Sequence, residues 1–154
     1  MKKIIITLLF ILLLASQAMA AKMSMEVDLG AVNGTLAVGG GVKFFFSKNF
    51  GLRIRPVATF ANNVTGLGVG IDGEYTIVES ENFPLDIFIG FGGGYGRAAT
   101  VNSGGFQAYG GLGHRFENGP HGVFGEVGVD YYKRAGAGNT DVHAFFGYRY
   151  HLFK

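Results

Sequence analysis

From Asp141 onward apolar and polar positions alternate. Val142, Ala144, Phe146, Tyr148, Tyr150 and Leu152 share one face, and His143, Phe145, Gly147, Arg149, His151 and Phe153 the other. A period of two marks a β-strand, because successive side chains of a strand point to opposite faces. The run is about twice the usual globular strand of about 5–6 residues, and its apolar face turns aromatic toward the end. Both traits suit a strand that crosses a bilayer and stops at the interface.

The same alternation predicts seven earlier strands. Lys22 to Val32 sets Met23, Met25, Val27, Leu29 and Ala31 against Ser24, Glu26 and Asp28. Asn33-Gly34 follows, a two-residue hairpin signal, since both residues tolerate positive φ. Thr35 to Phe46 opposes Leu36, Val38, Val42, Phe44 and Phe46 to Lys43 and Phe45, and Leu52 to Phe60 opposes its apolar face to Arg53 and Arg55. Within the latter, Pro56 lacks a ladder donor and predicts a bulge. Thr65 to Ile77 carries Asp72 and Glu74 on its glycine-rich face, Leu85 to Gly96 carries Asp86 and Phe88, Phe106 to Phe116 carries Gln107, Tyr109 and Arg115, and Val123 to Tyr132 carries Phe124, Glu126 and Asp130. The intervening turns are assigned to Ser47–Gly51, Ala61–Asn63, Glu79–Pro84, Ala98–Gly105, Glu117–His121 and Lys133–Asn139.

Charge placement decides which face looks outward. Lys43, Arg53, Arg55, Arg115 and Arg149, with Glu26, Asp28, Asp72, Glu74, Asp86, Glu126 and Asp130, all fall opposite the apolar face, as does His143. A basic residue facing lipid at the bilayer midplane costs about 2–4 kcal/mol, and several together exceed the roughly 5–15 kcal/mol that holds a domain folded. The charged face therefore points inward. An eight-stranded barrel is only wide enough inside for side chains, so these charges are expected to pair in a plugged, salt-bridged core, with Phe45, Phe88, Tyr109, Phe124, Phe145 and the arginines filling the space that inward glycines leave. The fold class predicted is all-β, an eight-stranded antiparallel up-and-down transmembrane β-barrel. A soluble lipocalin-like carrier is the alternative, but its water-facing side would be crowded with polar residues instead of glycine, phenylalanine and isolated charges.

Composition agrees and adds a destination. Twenty-seven glycines, fifteen phenylalanines and seven tyrosines are unusual for a soluble domain. Residues 1–20 open with Lys2-Lys3, continue through a short apolar run and reach Ala18-Met19-Ala20, the three parts of a cleaved signal peptide, which leaves 21–154 as the barrel. Cleavage would remove two of the thirteen basic residues, leaving eleven against eleven acidic ones and moving the net charge from +2 to zero. That balance argues against a nucleic-acid surface, and without cysteine no disulfide holds an exported chain of this size.

Export signal, eight alternating strands and an aromatic-rich closing strand together resemble the small outer-membrane β-barrels of Gram-negative bacteria, the OmpA/OmpX-like barrels and the broader outer membrane protein β-barrel domain family. The resemblance covers the whole mature chain through its pattern and implies residence in the cell outer membrane, among lipid and lipopolysaccharide, as a monomer. It also implies recognition of the last strand by the outer-membrane assembly machinery. Gly147, Tyr150 and Leu152 fit that signal, whereas Phe153 and Lys154 place the terminal aromatic one residue out of register. Phe44, Phe46, Tyr75, Tyr95, Phe116, Tyr131, Tyr148 and Tyr150 are the candidates for aromatic girdles. With an even strand number both termini are expected on the periplasmic side, and the loops at Asn33-Gly34, Ala61–Asn63, Ala98–Gly105 and Lys133–Asn139 on the outside.

Some barrels of this kind are lipid-modifying enzymes, with a His-x-Ser pattern in the deacylases. Here His143 is followed by Ala144-Phe145 and His114 by Arg115-Phe116. His143 reads as a core histidine paired with a carboxylate such as Asp130. His143 and His151 share a face, but eight residues along a strand part them by about 26 Å, too far for one metal. No cofactor is expected. The sequence predicts a non-enzymatic envelope or surface protein, with a lipid-modifying enzyme or a narrow, porin-like passive pore as alternatives.

Overall fold

The computed structural model of the chain describes residues 22–61, 64–79, 85–116, 119–134 and 136–152, without the side chains of residues 78, 79 and 134. The signal peptide assigned to residues 1–20, most of the Glu79–Pro84 turn, residues 62–63, 117–118 and 135 of the other assigned turns and the Phe153-Lys154 terminus lie outside the described residues. Eight strands follow in chain order: β1 (Lys22–Val32), β2 (Thr35–Phe45), β3 (Phe50–Ala61), β4 (Val64–Glu79), β5 (Leu85–Ala98), β6 (Val101–Arg115), β7 (His121–Arg134) and β8 (Ala137–His151). Each pairs antiparallel with the next, and β8 closes on β1, so the sheet has no free edge.

The closure is staggered. Stepping from Lys22 through its register partners Phe45, Gly51, Glu74, Gly90, Tyr109, Gly128 and His143 leads back into β1 at Val32, ten residues beyond the start. Ten residues at about 3.3 Å, set against a girth of eight strands at about 4.8 Å, tilt the strands by about 40°. At that tilt about ten residues cross an apolar band of about 25 Å, and every strand here has at least eleven.

The β1–β2 turn at Asn33-Gly34 has φ of 48° and 74°, the positive pair that a two-residue hairpin matching strand twist requires. Two turns are shorter than their composition suggests. Most of the Ala98–Gly105 and Lys133–Asn139 stretches is strand, because the ladders run on to Ala98↔Val101 and Arg134↔Ala137. Small and polar residues there mimic a loop, yet Val101 to Gly105 and Ala137 to Asn139 each find a ladder partner. Pro56 produces no bulge either. The β3–β4 register passes through Pro56↔Val69 unbroken, and β2–β3 keeps step from Gly39↔Val57 to Val42↔Ile54. A proline can forfeit a ladder bond without an extra residue being inserted. The irregularity lies instead between Thr76 and Val78, on the β4–β5 ladder.

Burial follows strand parity. Phe146 is 65% exposed and Val127 64%, while their neighbours Phe145 and Glu126 are 5% and 3% exposed. The apolar face is thus the outer one and the charges are inside, the reverse of a soluble carrier. Chain ends and the turns between even and odd strands share one end of the barrel, here the terminal end. The other, the hairpin end, carries the turns at 33–34 and 99–100 and the last pairs of β3–β4 and β7–β8, Ala61↔Val64 and Arg134↔Ala137.

Candidate functional site in the barrel lumen

The terminal half of the lumen is filled by ion pairs. Arg53 is fully buried at their centre: its Nη1 donates to Glu126 Oε2 at 2.7 Å, its Nε faces Asp72 Oδ2 at 3.4 Å, and Glu26 Oε2 lies 3.6 Å from Nη1. Arg55 donates to the other oxygen of Glu126 and, at 3.4 Å, to Gln107 Oε1. Arg149 Nε donates to Glu26 at 2.6 Å with Nη2 3.8 Å from Glu74, which also pairs with Lys43. Gln107 in turn donates to Asp72. Five strands, β1, β3, β4, β7 and β8, thus meet through Glu26, Arg53, Asp72, Glu126 and Arg149, and a buried cluster of this kind holds only while all partners are present.

Aromatic rings complete the plug. Arg53 lies over Tyr109 at 4.6 Å, Arg55 over Phe145 at 4.7 Å, Arg149 over Phe124 at 5.0 Å and Lys43 over Phe45 at 4.6 Å. Four of the large rings lie across a glycine that is their register partner: Tyr109 on Gly90, Phe88 on Gly111, Phe124 on Gly147 and Phe145 on Gly30. A Cβ on Gly111 would sit 2.4 Å from the Phe88 ring and 2.5 Å from a backbone oxygen, so only glycine leaves room.

The predicted interior set divides by position. Glu26, Asp28, Lys43, Arg53, Arg55, Asp72, Glu74, Glu126, His143 and Arg149 are buried. Asp86 and Asp130 are half-buried, and Arg115, the last residue of β6, is exposed at the terminal rim. Its parity points inward, but the strand stops there and leaves the side chain beyond the packed section. Asp28 has no hydrogen-bond partner for either oxygen among the described residues. His143 Nδ1 faces Asp130 Oδ2 at 2.9 Å, and its Nε2 lies against the backbone at Gly128.

The hairpin half is not filled. A cavity of about 630 Å³ opens there, lined by Val57, Thr59, Gly66, Gly68, Gly94, Gly96, Ser103, Asp130, Tyr132 and Asp141 among others, with Arg55, Gln107 and Phe145 as its floor. The rings and arginines therefore do not occupy the space left by the inward glycines of β4 and upper β5. Gly68, Gly94 and Gly96 have only backbone and Ser103 Oγ within 4 Å of a Cβ position. Gln107 and Asp141 are the members of the site that charge counting along strands overlooks. Gln107 is neutral, and Asp141 lies at the edge of what composition marks as a loop.

On the outside, Phe46, Tyr75, Phe116, Tyr148 and Tyr150 are exposed and Phe44 half-buried near the terminal end, while Tyr95 and Tyr131 are exposed in the hairpin half. Two further members join the terminal group. Phe50 lies 6.2 Å from Phe46 between ring centroids, and His121 packs edge-on to Tyr150 at 5.4 Å and hydrogen-bonds Tyr148.

No protein-family model matches the chain, and no curated protein matches it in sequence. Solved structures do match. The N-terminal β-barrel domain of Pseudomonas aeruginosa OprF superposes with a TM-score of 0.62 at 13% identity, over 84% of this chain and 97% of that one. Neisserial surface protein A gives 0.58 at 10% identity over 84% and 94%, and the outer membrane enzyme PagL 0.58 at 14% over 82% and 98%. At such identities the likeness is one of fold.

Proposed function

We propose that this chain, which has the fold of the small eight-stranded outer-membrane β-barrels, is an outer-membrane protein with a lumen closed to ions and a non-enzymatic role in the envelope or at the surface. The observation that carries this reading is the cluster around Arg53. It ties strands from opposite sides of the barrel together across the lumen and leaves Arg53 with no exposed surface. The outward apolar face, the zero charge of the chain without residues 1–20 and the aromatic residues near both ends suit a bilayer as the surrounding solvent. In that bilayer the terminal end faces the periplasm and the hairpin end the exterior, with lipid and lipopolysaccharide as neighbours and the assembly machinery as the partner of β8. The barrel acts as a monomer.

PagL shows that an enzyme can use this fold. Against that use here stands the placement of the Asp130–His143 pair. His143 points into the lumen, is 1% exposed and turns its second nitrogen toward β7 backbone, so it has no access to a lipid acyl chain. Planar bilayers provide the decisive measurement. Purified barrel that shifts on a gel between unboiled and boiled samples should add no single-channel steps, and regular steps from such folded protein would sink the closed-lumen reading. Lipid A from cells expressing the protein should keep its mass, and a mass change lost in His143→Ala would sink the non-enzymatic one.

A further inference from the structure

The cavity at the hairpin end has a volume inside the range of small-molecule sites, about 300–1,000 Å³, and opens on one side. Its charge is uneven. Asp130 on β7 and Asp141 on β8 are direct register partners, and both line the cavity. Directly opposed side chains have Cβ atoms about 4.5–5.5 Å apart, and two like charges so placed repel. The partners the two carboxylates do have are His143 for Asp130 and the side-chain amide of Asn33 for Asp141. Among the described residues neither forms an ion pair with lysine or arginine.

The bases nearby do not balance them. Arg55, at the floor, is committed to Glu126. Arg97 lines the cavity at its rim, but it stands on the outward parity of β5, is exposed to solvent and donates to the Ala99 carbonyl. Asp28, whose oxygens find no hydrogen-bond partner, covers Gly39, the register partner of the cavity-lining Val57, and places a further buried carboxyl group, and no base, under the same wall. An anion is therefore disfavoured. A bare divalent cation is also a poor match: calcium takes six to eight oxygens, and the described residues hold no group of three or more His, Asp or Glu side chains that could bind a metal. The remaining lining is chiefly apolar, with Phe145 at the floor, Val57 on the wall beside it and bare glycine backbone of β4 and β5 on another side.

We infer that this cavity binds a small organic cation, an aryl- or alkylamine, with its ammonium between Asp130 and Asp141 and its apolar body between Phe145 and the glycine wall of β4 and β5. The inference takes the hairpin end as the exposed one, and so rests on the reading above for the side from which the ligand arrives. The ammonium supplies the positive charge that the paired carboxylates lack, and its three N–H donors match two acceptors plus a neighbouring carbonyl or hydroxyl. The glycine wall admits a flat ring because no side chain projects from it.

Barrel refolded in a non-ionic detergent micelle, titrated by calorimetry with benzylamine hydrochloride, tests this. Benzylamine should bind at least about tenfold more tightly than benzyl alcohol or sodium benzoate, a factor worth about 1.4 kcal/mol. The near-isosteric double change Asp130→Asn with Asp141→Asn should remove that preference, and Gly68→Phe, which puts a ring into the cavity, should abolish binding. Equal binding of the alcohol, preference for benzoate, binding of calcium chloride in place of the amine, or an unaltered double variant would each overturn the inference. The gel shift of the same samples separates the two readings. A chain that never gives the folded band fails as a barrel, whereas a folded barrel indifferent to benzylamine fails only as an amine site.

Discussion

In the terminal half of the lumen Gly90, Gly111 and Gly147 each lie under an aromatic ring, whereas in the hairpin half Gly68, Gly94 and Gly96 meet only backbone and a serine hydroxyl. The same residue type lines both halves, and what differs is the register partner on the neighbouring strand. Where the inward positions of the paired strand carry phenylalanine or tyrosine, glycine gives a seat and the lumen closes. Where they carry threonine, serine, valine or another glycine, the wall stays bare and a cavity of about 630 Å³ remains. A lumen of fixed girth is thus solid at one end and hollow at the other through side-chain volume alone.

The largest effect is expected from Arg53→Leu. It would leave Glu126, Glu26 and Asp72 buried around a missing cation, and losing one partner of such a cluster costs about 3–5 kcal/mol. Urea unfolding of the refolded barrel, followed by tryptophan-free circular dichroism or by the gel shift, would read it; a loss below about 1 kcal/mol would mean the plug is not what holds the terminal half.

A matched pair of glycine changes tests the contrast itself. Gly111→Ala forces a methyl against Phe88 and a backbone oxygen, an overpacking worth about 1–3 kcal/mol. Gly68→Ala places its methyl at ordinary contact, 3.4 Å from the nearest atom, and should lie within about 0.5 kcal/mol of the parent. Equal costs at the two sites would erase the difference between the halves. Smaller still is Thr59→Ala on the cavity wall, which removes a few atoms next to open space and should shift the unfolding midpoint by an amount near the error of measurement.

Much of this arrangement is legible along the chain. Strand parity assigns Glu26, Arg53, Glu126 and Arg149 to one face, and the cost of charge in lipid turns that face inward. The Asn33-Gly34 turn follows from two residues that tolerate positive φ. Composition misleads where local chemistry and long-range pairing disagree. Ala98–Gly105 and Lys133–Asn139 are small and polar but lie mostly in strand, since the neighbouring strands run on and pair with all but the tips of these stretches whatever their propensity. Pro56 keeps register for the same reason.

What the sequence by itself determined is the number of strands, their faces and which residues share the interior, because all three rest on a period of two and on the exclusion of charge from hydrocarbon. What only the tertiary structure decided is who meets whom inside the lumen: that Arg53 gathers Glu126, Glu26 and Asp72, that Phe88 lies on its register partner Gly111, and that Asp130 is paired with Asp141 at a cavity. Those contacts depend on a stagger of ten residues around the barrel, a quantity fixed by all eight pairings together and encoded in no single strand.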